Sequence, residues 1–385
     1  MAGIYIHIPY CKKKCSYCDF YKSTKLDTKN NLLKCILNEI CLRKDYLDDE
    51  IIETIYLGGG TPSVLNTSEI NLILSRIYTN YRVAGNAEIT FEANPEDLNN
   101  EYLSELYNNT EVNRLSIGIQ SFIDRNLRLL DRRHNSRKAL EVLDKASSAG
   151  FTNISADLIY AIPEMTMDDW KYNLKVILTS NIQHLSAYHL TFEPGTMLYQ
   201  KLIKEEIQSA PENQSIEQYK TLIKMTEEAD FEQYELSNFS LEGYRSAHNS
   251  NYWTGKKYLG IGPSAHSYNQ ESRQWNVADN DKYMKCMNKN EPCYEIEYLS
   301  KEMKFNEFIM TGLRTMSGIG SNDILYNFGS AYLELFGKKT FQFIRNGYLT
   351  EKNEQICLTE GGKLIADYII SELFLDSEET NRYKL

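Results

Sequence analysis

The stretch Tyr5–Phe20, YIHIPYCKKKCSYCDF, joins an apolar, β-rich run to a cluster of three cysteines. Cys11, Cys15 and Cys18 have C-x3-C-x2-C spacing, and they directly follow the run Ile4–Ile8. The chain has eight cysteines, and the other five are scattered. Three cysteines this close together indicate a metal site immediately after the first strand.

Two kinds of metal site are compatible with three cysteines. A structural zinc site is closed by four ligands, so it would need a further group such as His7. A [4Fe-4S] cluster held by three cysteines leaves one iron open to an external chelate, which is how radical S-adenosylmethionine (SAM) proteins bind SAM. We expect the cluster, because zinc does not account for the polar residues that follow the later strands.

Apolar, β-rich runs alternate with helical patterns through about the first 200 residues. Repeated strand–helix units connect parallel strands by right-handed crossovers. We therefore expect an α/β protein whose parallel sheet is open or closed into a barrel. The predicted strands are Ile4–Ile8, Thr54–Leu57, Glu88–Phe91, Arg114–Ile119, Ile154–Ile159 and His184–Leu190, and the predicted helices are Asn30–Leu47, Ser68–Tyr78, Glu96–Tyr107, Ser136–Ala149 and Met167–Thr179.

Polar or glycine residues occur at the ends of these strands. Gly58–Pro62 follows the second strand, Glu92 and Asn94 end the third, Gln120 ends the fourth, Asp157 lies in the fifth, and the sixth carries Tyr188 and His189. The active site of a parallel α/β fold is built at the carboxyl ends of its strands. We therefore expect these residues to surround one site together with the cysteines.

The charge and hydropathy of the chain exclude several classes of protein. Its 385 residues include 42 Lys and Arg against 53 Asp and Glu, for a net charge of -11. This balance argues against a nucleic-acid partner that is bound through its phosphates. No run of about 18 apolar residues is present, and Met1–Pro9 lacks the order of a signal peptide. We expect a cytoplasmic protein that does not insert into a membrane.

Seven motifs, in order along the chain, carry a resemblance to a known family. The sequence resembles the radical SAM proteins around oxygen-independent coproporphyrinogen III oxidase, and most closely the HemW-type heme chaperones. The motifs are YIHIPYCKKKCSYCDF (Tyr5–Phe20), LGGGTPS (Leu57–Ser63), ITFEANPE (Ile89–Glu96), RLSIGIQSF (Arg114–Phe122), LLDRRHN (Leu129–Asn135), ADLIYAIP (Ala156–Pro163) and HNSNYW (His248–Trp253).

The resemblance implies a partial (β/α) barrel of parallel strands and a set of cofactor-binding residues. Cys11, Cys15 and Cys18 would hold the [4Fe-4S] cluster. Carboxylates can accept hydrogen bonds from the amine or ribose of SAM, an arginine can pair with its carboxylate, and Tyr17 can lean on its adenine. The residues implied to line the SAM pocket are Tyr5, Gly59, Gly60, Thr61, Glu92, Gln120, Arg132 and Asp157.

Two functions remain open within this resemblance. The oxidase, which decarboxylates coproporphyrinogen III, carries a fourth cysteine where this chain has Phe20. It also has an N-terminal extension, for which the sequence leaves no room before Ile4. Both differences favour the heme chaperone, and whether the chain is an enzyme stays open. A radical SAM protein that modifies tRNA is a third alternative, disfavoured because residues 280–385 show no dense basic stripe.

The segment His248–Trp253 fits the HN-x-x-YW pattern that is associated with heme binding in the chaperone branch. A neutral imidazole is a good axial ligand of heme iron, and aromatic rings pack on a porphyrin plane. His248 is therefore the predicted ligand, with Asn249, Tyr252 and Trp253 as the predicted pocket. The secondary histidine candidates are His134, His189 and His266.

The predicted domains are a radical SAM core at 1–210, an extension at 211–280 that carries the heme motif, and a small, mainly helical, winged-helix-like C-terminal domain at 281–385. The implied partners are heme and a heme-acceptor protein, with membrane respiratory proteins as candidates. A homodimer is a further expectation.

Overall fold

The computed structural model describes residues 1–376. Its centre is a run of six parallel strands that neighbour one another in sequence order. All six strands predicted from the sequence are confirmed, with small differences at their ends. They are β1 (Ala2–Ile8), β2 (Ile52–Gly59), β3 (Val83–Ala93), β4 (Arg114–Gln120), β5 (Ile154–Tyr160) and β6 (His184–His189).

Helices connect these strands and cover the sheet. Their buried residues recur at helical spacing, as Ile70, Ile73, Leu74 and Ile77 do in α2, and the apolar strands β1, β4 and β5 are buried on both faces. The predicted α/β fold class is confirmed. The helices are α1 (Lys29–Leu42), α2 (Thr67–Asn80), α3 (Asn100–Asn109), α4 (Asp124–Leu129), α5 (Ser136–Ser148) and α6 (Met167–Leu178).

Further strands extend the sheet at both edges instead of closing it. Beyond β6 lie the antiparallel strands β8 and β7, and beyond β1 lie β9, β10, β11 and β12. The barrel is therefore partial. The elements of this part are α7 (Met197–Ile203), α8 (Glu212–Glu228), β7 (Glu232–Gln233), β8 (Asn238–Ser240), α9 (Ala247–Trp253), β9 (Lys257–Ile261), β10 (His266–Tyr268), β11 (Ser272–Asn276), α10 (Asn280–Met287) and β12 (Tyr294–Tyr298).

The remaining elements pack around a second group of buried apolar residues that begins at Phe305. This region is mainly helical, and its three strands form a sheet of their own. The large sheet itself continues to Tyr298, beyond residue 280, where the sequence placed the domain boundary. The elements are α11 (Lys301–Arg314), β13 (Ile319–Gly320), α12 (Ser321–Phe328), α13 (Ser330–Arg345), β14 (Leu349–Lys352), β15 (Gln355–Leu358), α14 (Glu360–Lys363) and α15 (Ala366–Leu373).

Candidate functional site at the mouth of the barrel

A cavity of about 550 Å³ opens at the carboxyl ends of the parallel strands. This volume lies within the usual range for small-molecule and cofactor sites. The structure brings together the three cysteines of the motif and seven of the eight residues predicted to line the SAM pocket. The predicted residues that line the cavity are Cys11, Cys15, Cys18, Gly59, Gly60, Thr61, Glu92, Gln120, Arg132 and Asp157.

Hydrogen-bond donors are directed at two of the cysteine sulfurs. The Thr61 hydroxyl donates to Cys11 Sγ at 3.2 Å, and Arg132 Nη1 donates to Cys15 Sγ at 3.4 Å. Burial raises the pKa of the Cys11 thiol, and the hydrogen bond from Thr61 lowers it. Donors and positive charge beside sulfur stabilise the thiolate, which is the form that binds iron. This donor set therefore fits a thiolate-held cluster.

Asn94 connects these two contacts into one network. Its Nδ2 donates to Thr61 Oγ1 at 3.1 Å, and its Oδ1 accepts from Arg132 Nη2 at 2.6 Å. The ends of β2 and β3 and the loop before α5 are thereby tied to the cysteine loop. In the described part of the chain, no three His, Cys, Asp or Glu side chains converge on a position for a single metal ion.

The glycines after β2 bring backbone very close to the end of β1. A Cβ at Gly60 would lie 2.8 Å from the carbonyl oxygen of Tyr10 and 2.9 Å from that of Ile8. Gly59 has a φ of +110°, and its N–H donates to Glu92 Oε2 at 3.2 Å. Positive φ and close backbone approach both require glycine, and the N–H of Gly60 donates to the Ile8 carbonyl oxygen at 2.9 Å, so this turn fixes Glu92 and the end of β1 at the cavity.

Two carboxyl groups and one guanidinium face the cavity. Desolvation raises the pKa of Glu92 to about 7 and that of Asp157 to about 6. Tyr56 donates its hydroxyl to Glu92 Oε1 at 2.6 Å. Arg132 Nε is buried and has no hydrogen-bond partner within the described residues. A ligand that carries both an ammonium and a carboxylate, as the methionine part of SAM does, complements these charges.

Tyr5 is the one predicted SAM residue that does not line the cavity within the described residues. Its ring lies beside that of Tyr56, with 5.9 Å between centroids, and its hydroxyl is 3.2 Å from His7 Nδ1. Tyr5 sits three residues before the end of β1, which places it inside the barrel below the cavity. The other nitrogen of His7 is 3.0 Å from the Tyr21 carbonyl oxygen, so neither nitrogen is free for the alternative zinc site.

The predicted heme motif lies at the opposite end of the barrel. Glu88, near the middle of β3, caps α9 by accepting from the backbone N–H groups of Ala247 and His248 at 2.8 and 3.0 Å. α9 also contacts β1 and β2 near their amino ends. The motif is therefore separated from the cavity by the interior of the barrel.

His248 is only 2% exposed, and both its ring nitrogens are hydrogen bonded. Nδ1 is 2.8 Å from Thr54 Oγ1, Nε2 is 2.9 Å from the Tyr252 hydroxyl, and the ring stacks on Tyr56 with 4.9 Å between centroids. Burial lowers the pKa of His248 to about 3, so the ring is neutral. Iron could reach this imidazole only by displacing one of those partners, and the role of His248 as axial ligand stays a prediction.

The other residues of the motif are also enclosed. Asn249, Tyr252 and Trp253 are partly buried, and the indole Nε1 of Trp253 is buried without a hydrogen-bond partner in the described residues. Tyr252 packs edge-on against Tyr258. In this conformation the motif forms the floor of the barrel, and its side chains pack against Thr54, Tyr56 and Tyr258.

The sequence placed Asn94 at the mouth without a role in binding SAM, and it missed Tyr56. Asn94 shares a face of its strand region with Glu92, and Tyr56 shares a face of β2 with Gly58. The alternation of side chains along a strand would have found Tyr56, because positions two apart point to the same side.

Comparison with known proteins agrees with this arrangement. The model of the Radical SAM superfamily matches residues 5–177, and the model of the HemN C-terminal domain matches residues 299–365. The chain is 30% identical to "Heme chaperone HemW" of Lactococcus lactis over 372 residues, which cover 97% of both chains. It is also 30% identical to "Heme chaperone HemW" of Bacillus subtilis, over 96% of this chain and 98% of that protein. The chain belongs to the HemW family.

The HemW family assignment agrees with the observed fold. The structure of the coproporphyrinogen III oxidase HemN from Escherichia coli matches 97% of this chain and 90% of its own, with a TM-score of 0.84 and 20% sequence identity. At this identity the likeness shows the radical SAM fold alone. Membership of the radical SAM superfamily supports the predicted [4Fe-4S] cluster and SAM as cofactors of this HemW relative. None of the helices in residues 1–376 combines the length and apolar character needed to span a bilayer.

Proposed function

We propose that this member of the HemW family binds heme and delivers it to an acceptor protein. The observation that carries the proposal is the similarity, at 30% identity and over nearly the whole chain, to proteins named heme chaperones. Phe20 supports it, because the resemblance places the fourth cysteine of the oxidase motif at this position.

In this proposal the cavity at the mouth holds the cluster and SAM. Cys11, Cys15 and Cys18 hold the cluster, which supplies electrons to the sulfonium of SAM when bound. Arg132 pairs with the carboxylate of SAM through the nitrogen that has no partner in the described residues, and Glu92 accepts from its amine. The cofactors serve a regulatory or redox role in heme transfer.

The acceptor, the assembly and the location of the protein belong to the same proposal. Membrane respiratory proteins are candidate acceptors. A homodimer and a cytoplasmic location complete the proposal. Each of these can be checked separately from heme binding.

One experiment separates the chaperone from the oxidase. The protein is reconstituted anaerobically with iron and sulfide, titrated with heme while absorbance is followed, and then incubated with coproporphyrinogen III, SAM and a reductant. We expect saturable heme binding and no decarboxylated product. Turnover of coproporphyrinogen III without heme binding would contradict the proposal, and HemN assayed in parallel is the positive control for turnover.

Transfer itself requires a second measurement. Heme-loaded protein is mixed with an apo-form of a heme protein that has a distinct absorbance spectrum, and the two are separated by size afterwards. We expect heme to appear on the acceptor faster than from free heme at the same concentration. An equal rate would reduce the function to heme binding.

A further inference from the structure

The environment of each histidine identifies which imidazoles are free to bind iron. Of the six histidines in the chain, four are buried and have both ring nitrogens hydrogen bonded, namely His7, His134, His184 and His248. The remaining two, His189 and His266, are exposed. An axial ligand needs an accessible, unprotonated nitrogen, so these two are the structural candidates.

His189 lies at the carboxyl end of β6 and lines the mouth of the cluster cavity. Partial burial lowers its pKa, which favours the neutral ring, and the backbone of Leu190 acts in the opposite direction. Its ring meets that of Tyr160 edge-on, with 5.3 Å between centroids. His266 instead stacks on Trp275, away from the residues described as lining the cavity.

Two exposed aromatic rings accompany His189 at the mouth. Phe20 is 67% exposed and Tyr188 is 43% exposed, and both line the cavity. The position where the resemblance places a fourth cysteine in the oxidase therefore presents an apolar ring to a ligand.

The rim carries charges of both signs. Lys13, Lys22, Asp19 and Glu193 all line it. Lys13 is paired with Asp131 at 2.5 Å. The contacts described for Lys22 Nζ are with backbone carbonyl oxygens, those of Cys18 and Phe20. Its charge is not matched by a carboxylate in those contacts, so it is placed to pair with a carboxylate of an incoming ligand.

We propose that heme docks on this mouth, with His189 as the axial ligand of its iron and with Phe20 and Tyr188 against the porphyrin. The inference rests on the proposed function, and it places heme beside the cluster cavity and not at α9. Binding forms one coordination bond from a lone pair of the neutral imidazole to iron, with no change of oxidation state. Lys22 pairs with a propionate. Heme is flat and apolar, carries iron and has anionic propionates. It can therefore contact the imidazole, the two aromatic rings and the ammonium group at the same time.

The test is a heme titration of the reconstituted protein and of two histidine variants, followed by absorbance and electron paramagnetic resonance. We expect His189→Gly to weaken ferric heme binding by at least about tenfold, the effect that even supporting groups of a metal site have. Added imidazole should restore the spectrum, because it can occupy the space of the lost ring. His266→Gly is the matched control, since it removes the other exposed histidine, and it should bind as the wild type does.

The outcomes distinguish this inference from the proposed function. If the wild type binds no heme, the proposed function fails and the docking site falls with it. If the wild type binds heme and His189→Gly gives the same affinity and spectrum, only the assignment of His189 is overturned. Phe20→Ala provides a second measurement, for which we expect weaker binding and an unchanged ligand spectrum. Iron and sulfide content of each variant verifies that the cluster site is intact.

Discussion

Replacement of Glu92 by glutamine should change how the stability of the protein depends on pH. Desolvation raises the pKa of Glu92 from the ordinary value of 4.5 to about 7 in the folded chain. The unfolded chain therefore ionises first, and folding loses stability as pH rises from about 4.5 to about 7. At about 1.4 kcal/mol for each tenfold change in proton affinity, the total loss is about 3 kcal/mol, of which about 2 kcal/mol falls between pH 5.5 and pH 8.5.

Glu92→Gln lacks this ionisation but keeps an oxygen that can accept from Tyr56. The variant loses the acceptor for the Gly59 N–H, and this costs about 1 kcal/mol at every pH. The free energy of unfolding, measured by urea titration without SAM at about pH 5.5 and about pH 8.5, should therefore shift in favour of the variant by about 2 kcal/mol between the two. Asp157 is present in both proteins, but its charge is one of the causes that raise the pKa of Glu92, so the difference between the two profiles includes the interaction of the two carboxyl groups. Parallel pH profiles of the two proteins would refute the assignment of a raised pKa to Glu92.

Three further predictions follow from the contacts described. Gly60→Ala places a Cβ against the carbonyl oxygens of Tyr10 and Ile8, and should lower stability by about 1–3 kcal/mol and weaken SAM binding in a calorimetric titration. His248→Ala should lower the free energy of unfolding in urea by about 1–3 kcal/mol, because the Tyr252 hydroxyl loses this partner and Thr54 Oγ1 keeps only the bond from Asn251, yet it should leave the heme spectrum unchanged. Cys15→Ser should lose the cluster, so iron analysis that finds full loading would contradict its role as ligand.

The sequence predicted the barrel well because its signals are local. Each strand of the barrel is a short apolar run, and a period of 3.6 or 2 residues can be read without knowing what packs against it. The cysteine spacing is equally local, and it places all three thiols on one loop after β1. Convergence of the site then followed from one rule, since the carboxyl ends of parallel strands share an edge. Glu92 and Asp157, 65 residues apart by their numbers, line the same cavity for this reason.

The position of a residue or helix along the barrel axis could not be predicted from such local signals. Tyr5 and His7 lie on the strand that leads into the cysteine loop, yet Tyr5 is below the cavity, whose described lining begins at Cys11 in the loop after β1. The helix α9 is a stronger example, because a seven-residue helix with no strand periodicity carries no mark of which end of the barrel it closes. Its position depends on Glu88, which is far away in sequence and accepts hydrogen bonds from the N-terminal N–H groups of the helix.

The position of α9 changes how the histidine of the motif can act. His248 stacks beneath Tyr56, and Tyr56 in turn donates to Glu92 at the floor of the cavity. Loss of the His248 imidazole removes the ring that stacks on Tyr56. We therefore expect SAM to bind more weakly while heme remains bound at the mouth. A heme assay alone would miss this coupling, whereas an assay of SAM affinity in His248→Ala and in Tyr56→Phe would detect it. Equal losses of SAM affinity in the two variants would indicate that His248 acts through Tyr56. A change in heme binding alone would instead indicate that the His248 imidazole is a ligand of the heme iron.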